Sequence, residues 1–177
     1  MGIDLYSSAH RALTAGCKRW DKAMLRNKKV IKLRFSKVRK RLFATAVHPQ
    51  MTYGAPVHGL PPSALARARS RLAGHLGAKA GWCTTTIIQL ECPGIDPAVR
   101  VKTDIVKGHM DTWLKLHELR LPIKRAWAVT KKKLLSHPPN QRWRHVHGPL
   151  AATIATMLDE GWQPQEPGRW TDGQGST

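Results

Sequence analysis

The chain has 177 residues, 30 Lys and Arg against 11 Asp and Glu, and a formal net charge of +19 at pH 7. That is the size of one domain, or of one domain with an appendage, and its 41% apolar content can fill a core, which excludes a wholly disordered basic tail. So large an excess of cations favours a polyanionic partner over a neutral small substrate, and the scarcity of aromatic and β-branched runs argues against an all-β fold.

The charge is unevenly placed. Residues 1–90 hold 17 Lys and Arg against two acids, Asp4 and Asp21, whereas residues 91–177 hold 13 against nine. A binding face on one subregion would need that asymmetry; a general solubilising charge would not. The uncharged stretch from Ala44 to Ala66 contains His48, His58 and four prolines, a mixture unsuited to a membrane-spanning helix. Residues 1–30 lack the apolar run of a signal peptide. Cys17, Cys83 and Cys92 make an odd count without framework spacing and read as reduced thiols of an intracellular protein.

In chain order, Ile3 and Leu5 suggest a short strand without partners, and Ser7 or Ser8 can cap a helix from about Ala9 into the high twenties. The following basic segment places Ile31, Phe35, Val38, Leu42 and Ala46 four, three, four and four residues apart, which predicts one helix over Val30 to Val47. Lys28, Lys29, Lys32, Arg34, Lys37, Arg39, Lys40 and Arg41 cover most of its remaining surface. Pro49 ends or kinks it. No acid lies between Lys22 and Glu91, whereas an ordinary solvated face mixes both signs. The pattern therefore points to phosphates. A calmodulin-target or membrane-surface helix would show a wider, bulkier apolar face.

Pro62 and Ser63 start a helix with Leu65, Leu72 and Leu76 on one stripe and Arg67, Arg69 and Arg71 spread around it. Thr84 to Leu90 favours strand by propensity but helix by its surroundings, and helix is expected. Asp96-Pro97 starts a long helix to about Leu121, and Pro122 stops or restarts it. A helix over Ile123 to Leu135 ends at Pro138-Pro139. Gly148-Pro149 opens another, with Leu150, Ile154 and Leu158 on one face and Gly161 as its C-terminal cap. The Gly-, Pro- and Gln-rich tail is expected to be flexible. The expected fold is mainly α, an irregular bundle of about six helices with an orphan N-terminal strand. Its expected divisions are a basic region at 1–80, a second helical region at 81–162 and a tail at 163–177.

Catalytic patterns are few. Asp159-Glu160 point in different directions on a helix, and Asp104 and Asp111 alone do not make a two-metal site. Cys83 and Cys92 lack zinc-ligand spacing. His145 and His147 read as loop residues, and His109 and His117 as interface side chains beside Trp113. There is no Gly-rich phosphate loop, nucleophile elbow or HExxH. Cys17 sits in a basic helix but lacks a positioned base. Trp113 and Trp127 sit at core spacing; Trp143, Trp162 and Trp170 fall near helix ends, where a ring can clamp two segments.

The order of these pieces resembles the region that follows the palm in non-LTR retrotransposon reverse transcriptases. Gly2-Ile3-Asp4 is similar to the end of the strand that closes the palm, and Val30 to Val47 to the basic helix of the thumb. Pro49 to Ala55, with Tyr53-Gly54, is similar to the junction after it, and Leu60-Pro61-Pro62-Ser63-Ala64-Leu65 to the next helix start. The likeness extends over nearly the whole chain. The family's catalytic aspartates, one in an early palm strand and two in an aromatic-x-Asp-Asp turn, are not in this sequence. The resemblance therefore implies a thumb-like fragment that grips a duplex without polymerase activity of its own. It has no cofactor, because the parent enzyme's Mg2+ would be held by residues absent here.

The expected function is sequence-nonspecific binding to a nucleic-acid backbone, with an RNA–DNA hybrid or duplex as partner and a nuclear location. The expected contacts are the eight basic residues from Lys28 to Arg41 together with Arg67, Arg69 and Arg71. Three alternatives stand beside it: an unrelated basic helical binding protein, a non-functional remnant that needs its palm and fingers to fold, and, as the weakest, a membrane-surface protein.

Overall fold

The computed structural model describes residues 14–77 and 83–172. The expected strand at residues 2–6, the Ser7 or Ser8 cap, the Cys17 side chain and the 80/81 junction lie outside the described residues. The fold is mainly α. Helices of eight residues or more among the described residues are α1 (Thr14–Val30), α5 (Pro62–His75), α6 (Thr84–Glu91), α7 (Pro97–Lys115), α8 (Arg120–Leu135) and α10 (Gly148–Asp159). Shorter ones are α2 (Ser36–Leu42), α3 (His48–Thr52), α4 (Ala55–His58) and α9 (Pro139–Arg142). Strands β1 (Gln163–Glu166) and β2 (Arg169–Thr171) form an antiparallel pair.

The described residues make two compact units. The first comprises residues 14–54, 60–77 and 83–101, the second residues 55–59 and 102–172. Residues 84–101 therefore belong with the first unit and not with a separate region beginning at 81. The cause is packing: α6 lies against α5, and Ile88 enters the same core as Leu72 and Phe43.

The expected basic helix over Val30 to Val47 is not continuous. α1 ends at Val30, residues 31–35 turn, and α2 starts at Ser36. An unbroken helix would stack Lys28 and Lys29 against Lys32 at repulsive spacings. In the turn the Lys32 N–H donates to Lys29 O at 3.3 Å and the Leu33 N–H to Val30 O at 3.1 Å, a tightened ending before α2. Downstream, Phe43–Val47 forms a π-helical turn in which the His48 N–H donates to the Phe43 carbonyl. Pro49 has no N–H and its ring would press on the carbonyl four residues back. The wider turn makes room, so the chain continues into α3 instead of ending. The buried stripe also differs from the expected one. Phe43, Val47 and Met51 are buried with Ala23, Val30, Ala68, Leu72 and Ile88, while Ile31, Phe35 and Val38 stay exposed, Phe35 at 68%. Tyr53 (φ −56°, ψ 126°) and Gly54 (φ +84°) then turn the chain in a type II pattern, which needs glycine at its third position.

In the second unit α10 packs against α4, α8 and β1. It is buried continuously from Ala151 to Met157, more fully than a single Leu150–Ile154–Leu158 stripe implies. Gly161, at φ +80°, caps it: the Gly161 N–H donates to Leu158 O and the Trp162 N–H to Met157 O at 2.9 Å, the paired bonds of a Schellman ending. Pro122 lies in the first turn of α8, where a missing N–H leaves no helical bond unmade. α7 stops at Lys115 rather than near Leu121, and its buried positions are Pro97, Ala98, Val101, Ile105 and His109.

Residues 163–172 of the expected tail carry secondary structure. They form the β-hairpin, with Pro164 opposite Trp170 and both Pro164 and Pro167 buried. His109 Nε2–H donates to Pro167 O at 2.8 Å while its ring stacks on Trp127. The ring of Trp113 lies over Gly168, where an added Cβ would come within 2.7 Å of its Nε1. Trp162 and Trp170 meet edge to face at 6.4 Å. The interlocking aromatics supply the apolar contact that a Gly- and Pro-rich segment lacks by itself.

Candidate nucleic-acid interface

All eleven basic residues singled out in the sequence lie in the first unit. Lys28 and Lys29 end α1, Lys32 and Arg34 lie in the turn, Lys37, Arg39, Lys40 and Arg41 are on α2, and Arg67, Arg69 and Arg71 are on α5. α2 buries none of its residues and packs against α5. Lys37 and Arg41 are one helical turn apart on α2, as are Arg67 and Arg71 on α5. Each is a like-charge pair that disfavours its own helix by a few tenths of a kcal/mol until an anion meets it, on the order of the opposite-charge gain.

The structure separates the set into two groups. Lys28, Lys29, Lys32, Arg34, Lys37, Arg41, Arg67 and Arg71 are exposed, and among the described residues none of them makes an ion pair. Arg67 lies 5.3 Å from the ring centroid of Trp20, which fixes the guanidinium's approach while leaving it in solvent.

The other three are partly withdrawn into the unit: Lys40 and Arg69 each hold an acid, and Arg39 is half-buried. Lys40 Nζ donates to Glu91 Oε2 at 2.9 Å, a bond that raises the Lys40 pKa. Arg69 grips Asp96 through both carboxylate oxygens at 2.8 to 3.1 Å. Burial pushes the Asp96 carboxyl up, but Arg69 and the Ala98 N–H outweigh it and hold it below its usual range. Arg39 is half-buried, and its charge adds to burial in pushing the His75 pKa down to about 4. Lys40 and Arg69 brace the fold, and all three present less charge outward than the exposed eight. Sequence spacing alone could not single out Lys40 and Arg69, because their partners lie 51 and 27 residues away.

The exposed cations Lys18, Lys22, Arg26 and Arg100 of the same unit were missed. Lys18 and Lys22 on α1 are one helical turn apart, and Lys29 continues their line seven residues on. The basic i, i+4 spacing was the available signal.

Other candidate groups are not brought together. Among the described residues no three His, Cys, Asp or Glu side chains converge as a metal site. Asp159 accepts a 2.7 Å bond from Trp143 Nε1, and Glu160 pairs with Lys102. His145 stacks on His137 with ring centroids 3.7 Å apart. Cys83 is exposed at the start of α6, whereas Cys92 is buried. No helix among the described residues is long and apolar enough to cross a membrane. The arrangement as a whole offers dispersed cations on helices and a turn, suited to phosphate oxygens and carrying no base-reading constellation. Comparison of the chain with protein-family models, with curated proteins and with solved structures finds no match.

Proposed function

We propose that the first unit binds nucleic-acid backbone without reading sequence, in the manner of the thumb of a non-LTR retrotransposon reverse transcriptase. The observation that carries this reading is the group of eight exposed basic side chains from Lys28 to Arg71, none neutralised by an acid among the described residues. A polyanion relieves their mutual repulsion and releases its own counterions on binding. In this reading the unit grips and does not catalyse, since the family's paired catalytic aspartates have no counterpart in the sequence. The preferred partner is an RNA–DNA hybrid, held through its phosphates and shape.

Six of these cations lie between Lys28 and Arg41. They contribute a slope of about −5 to the dependence of log Kobs on log salt. The test combines Lys28→Gln, Lys29→Gln, Lys37→Gln and Arg41→Gln, with circular dichroism to establish that the helices persist. The slope is expected to flatten by about 3 to 4. A folded variant with the wild-type slope would refute the assignment.

A further inference from the structure

The second unit carries its own basic face, on α8. The sequence has no acid between Glu118 and Asp159 and eight basic residues, six of them on this helix. Trp127 and Leu134, seven residues apart, are its only fully buried positions, so the opposite side looks outward. Along that side run Leu121, Arg125, Ala128, Lys132 and Leu135 at spacings of four, three, four and three, all exposed. Lys133 and Val129, the latter 70% exposed, lie beside them. Lys124 is drawn to Glu166 at 3.8 Å, whereas Arg125, Lys132 and Lys133 make no ion pair among the described residues.

The order of residues along this line selects the occupant. Arg125 and Lys132 sit between Leu121, Ala128 and Leu135. An apolar partner covering the leucines would bury both cations without counter-charge, which is unfavourable. A second copy of the chain would bring the same cations against themselves. Insertion into a bilayer would drive both charges toward the acyl chains. A strand of phosphates meets the cations and leaves the leucines half in solvent, which demands nothing further.

We infer that the outward face of α8 is a second contact surface for nucleic-acid phosphates, through Arg125, Lys132 and Lys133. The inference rests on the nucleic-acid reading above and adds a site in the other unit. The protein therefore has two separately mutable backbone contacts, one in each unit.

The test uses the full chain and an RNA–DNA hybrid in a salt series, with Arg125→Gln, Lys132→Gln and Lys133→Gln combined. Lys132→Arg with Lys133→Arg serves as the charge-retaining control. The triple variant is expected to lose about 3 from the slope, on top of whatever the Lys28–Arg41 variant loses, and the control nothing. A folded triple variant with an unchanged slope overturns the inference. So does a variant that loses binding only to phosphatidylserine vesicles, which would assign the face to lipid. If the α8 variant flattens the slope and the Lys28–Arg41 variant does not, the inference stands and the first-unit site falls.

Discussion

Gly59 lies directly beneath the indole of Trp143. A Cβ built on Gly59 would stand 2.5 Å from Trp143 Cζ3 and 3.1 Å from the Ala152 Cβ, and the backbone there has φ +65°. The ring is held on its other edge by the bond from Nε1 to Asp159. It can give way only by breaking that bond, so the contact ties α4 to α10 through a position that admits no side chain. Gly59→Ala combines left-handed strain with overpacking and should lower stability by about 3 kcal/mol. Urea unfolding would show this as a lower midpoint. A change below about 0.5 kcal/mol, the size typical of neutral surface positions, would mean that the ring is not fixed as described.

His75 sets a pH dependence. Its ring is fully buried in the first unit, Nε2–H donates to Asn27 Oδ1 at 2.7 Å, and Phe43 lies 5.1 Å away. Burial, then Arg39, lowers its pKa from 6.5 to about 4. The unfolded chain therefore binds the extra proton first as pH falls. The stabilising effect is complete above pH 6.5, is lost between pH 6.5 and about 4, and changes no further below that. The loss approaches about 3 kcal/mol by the lower limit. His75→Gln retains a donor for Asn27 and removes the titration. The difference in stability between wild type and variant should shrink across that window. A constant difference would show that His75 is protonated in the folded state.

Asp96 has two tasks, and they can be separated by substitution. It accepts the Arg69 guanidinium on both oxygens and caps α7 through the Ala98 N–H at 2.9 Å. Asp96→Ala removes both and leaves Arg69 half-buried beside an apolar side chain, at about 3 kcal/mol. Asp96→Asn keeps the cap and should cost about 1 kcal/mol less. Because the folded carboxyl titrates below its ordinary value, this contribution is present above the ordinary carboxylate pKa and disappears as pH falls through the folded one. Equal effects of the two substitutions would leave the cap without a role.

These sites show which parts of the fold could be read along the chain. Pro62 at the start of α5, Asp96-Pro97 at the start of α7, Gly148-Pro149 at the start of α10 and Gly161 at its end all act within a few residues of themselves. Their consequences were visible in sequence. The break after Val30 was not, because the apolar spacing runs on through it and the choice of stripe depends on what Phe43 and Val47 meet in α1 and α5. The hairpin was missed for a similar reason: its Gly, Pro and Gln look structureless until Trp113, His109 and Trp127 are brought against them from α7 and α8. In the candidate interface, the presence of cations was legible. Which of them Glu91 and Asp96 hold was not, since those partners come from distant segments.

The central claim is that the cations exposed from Lys28 to Arg71 meet phosphates. The most direct measurement is the binding of the full chain to an RNA–DNA hybrid across a salt series at fixed pH. The account predicts that log Kobs falls with log salt at a slope of about −5 or steeper, independently of the hybrid's sequence. A folded chain whose binding is absent, or whose slope is close to zero, would contradict it.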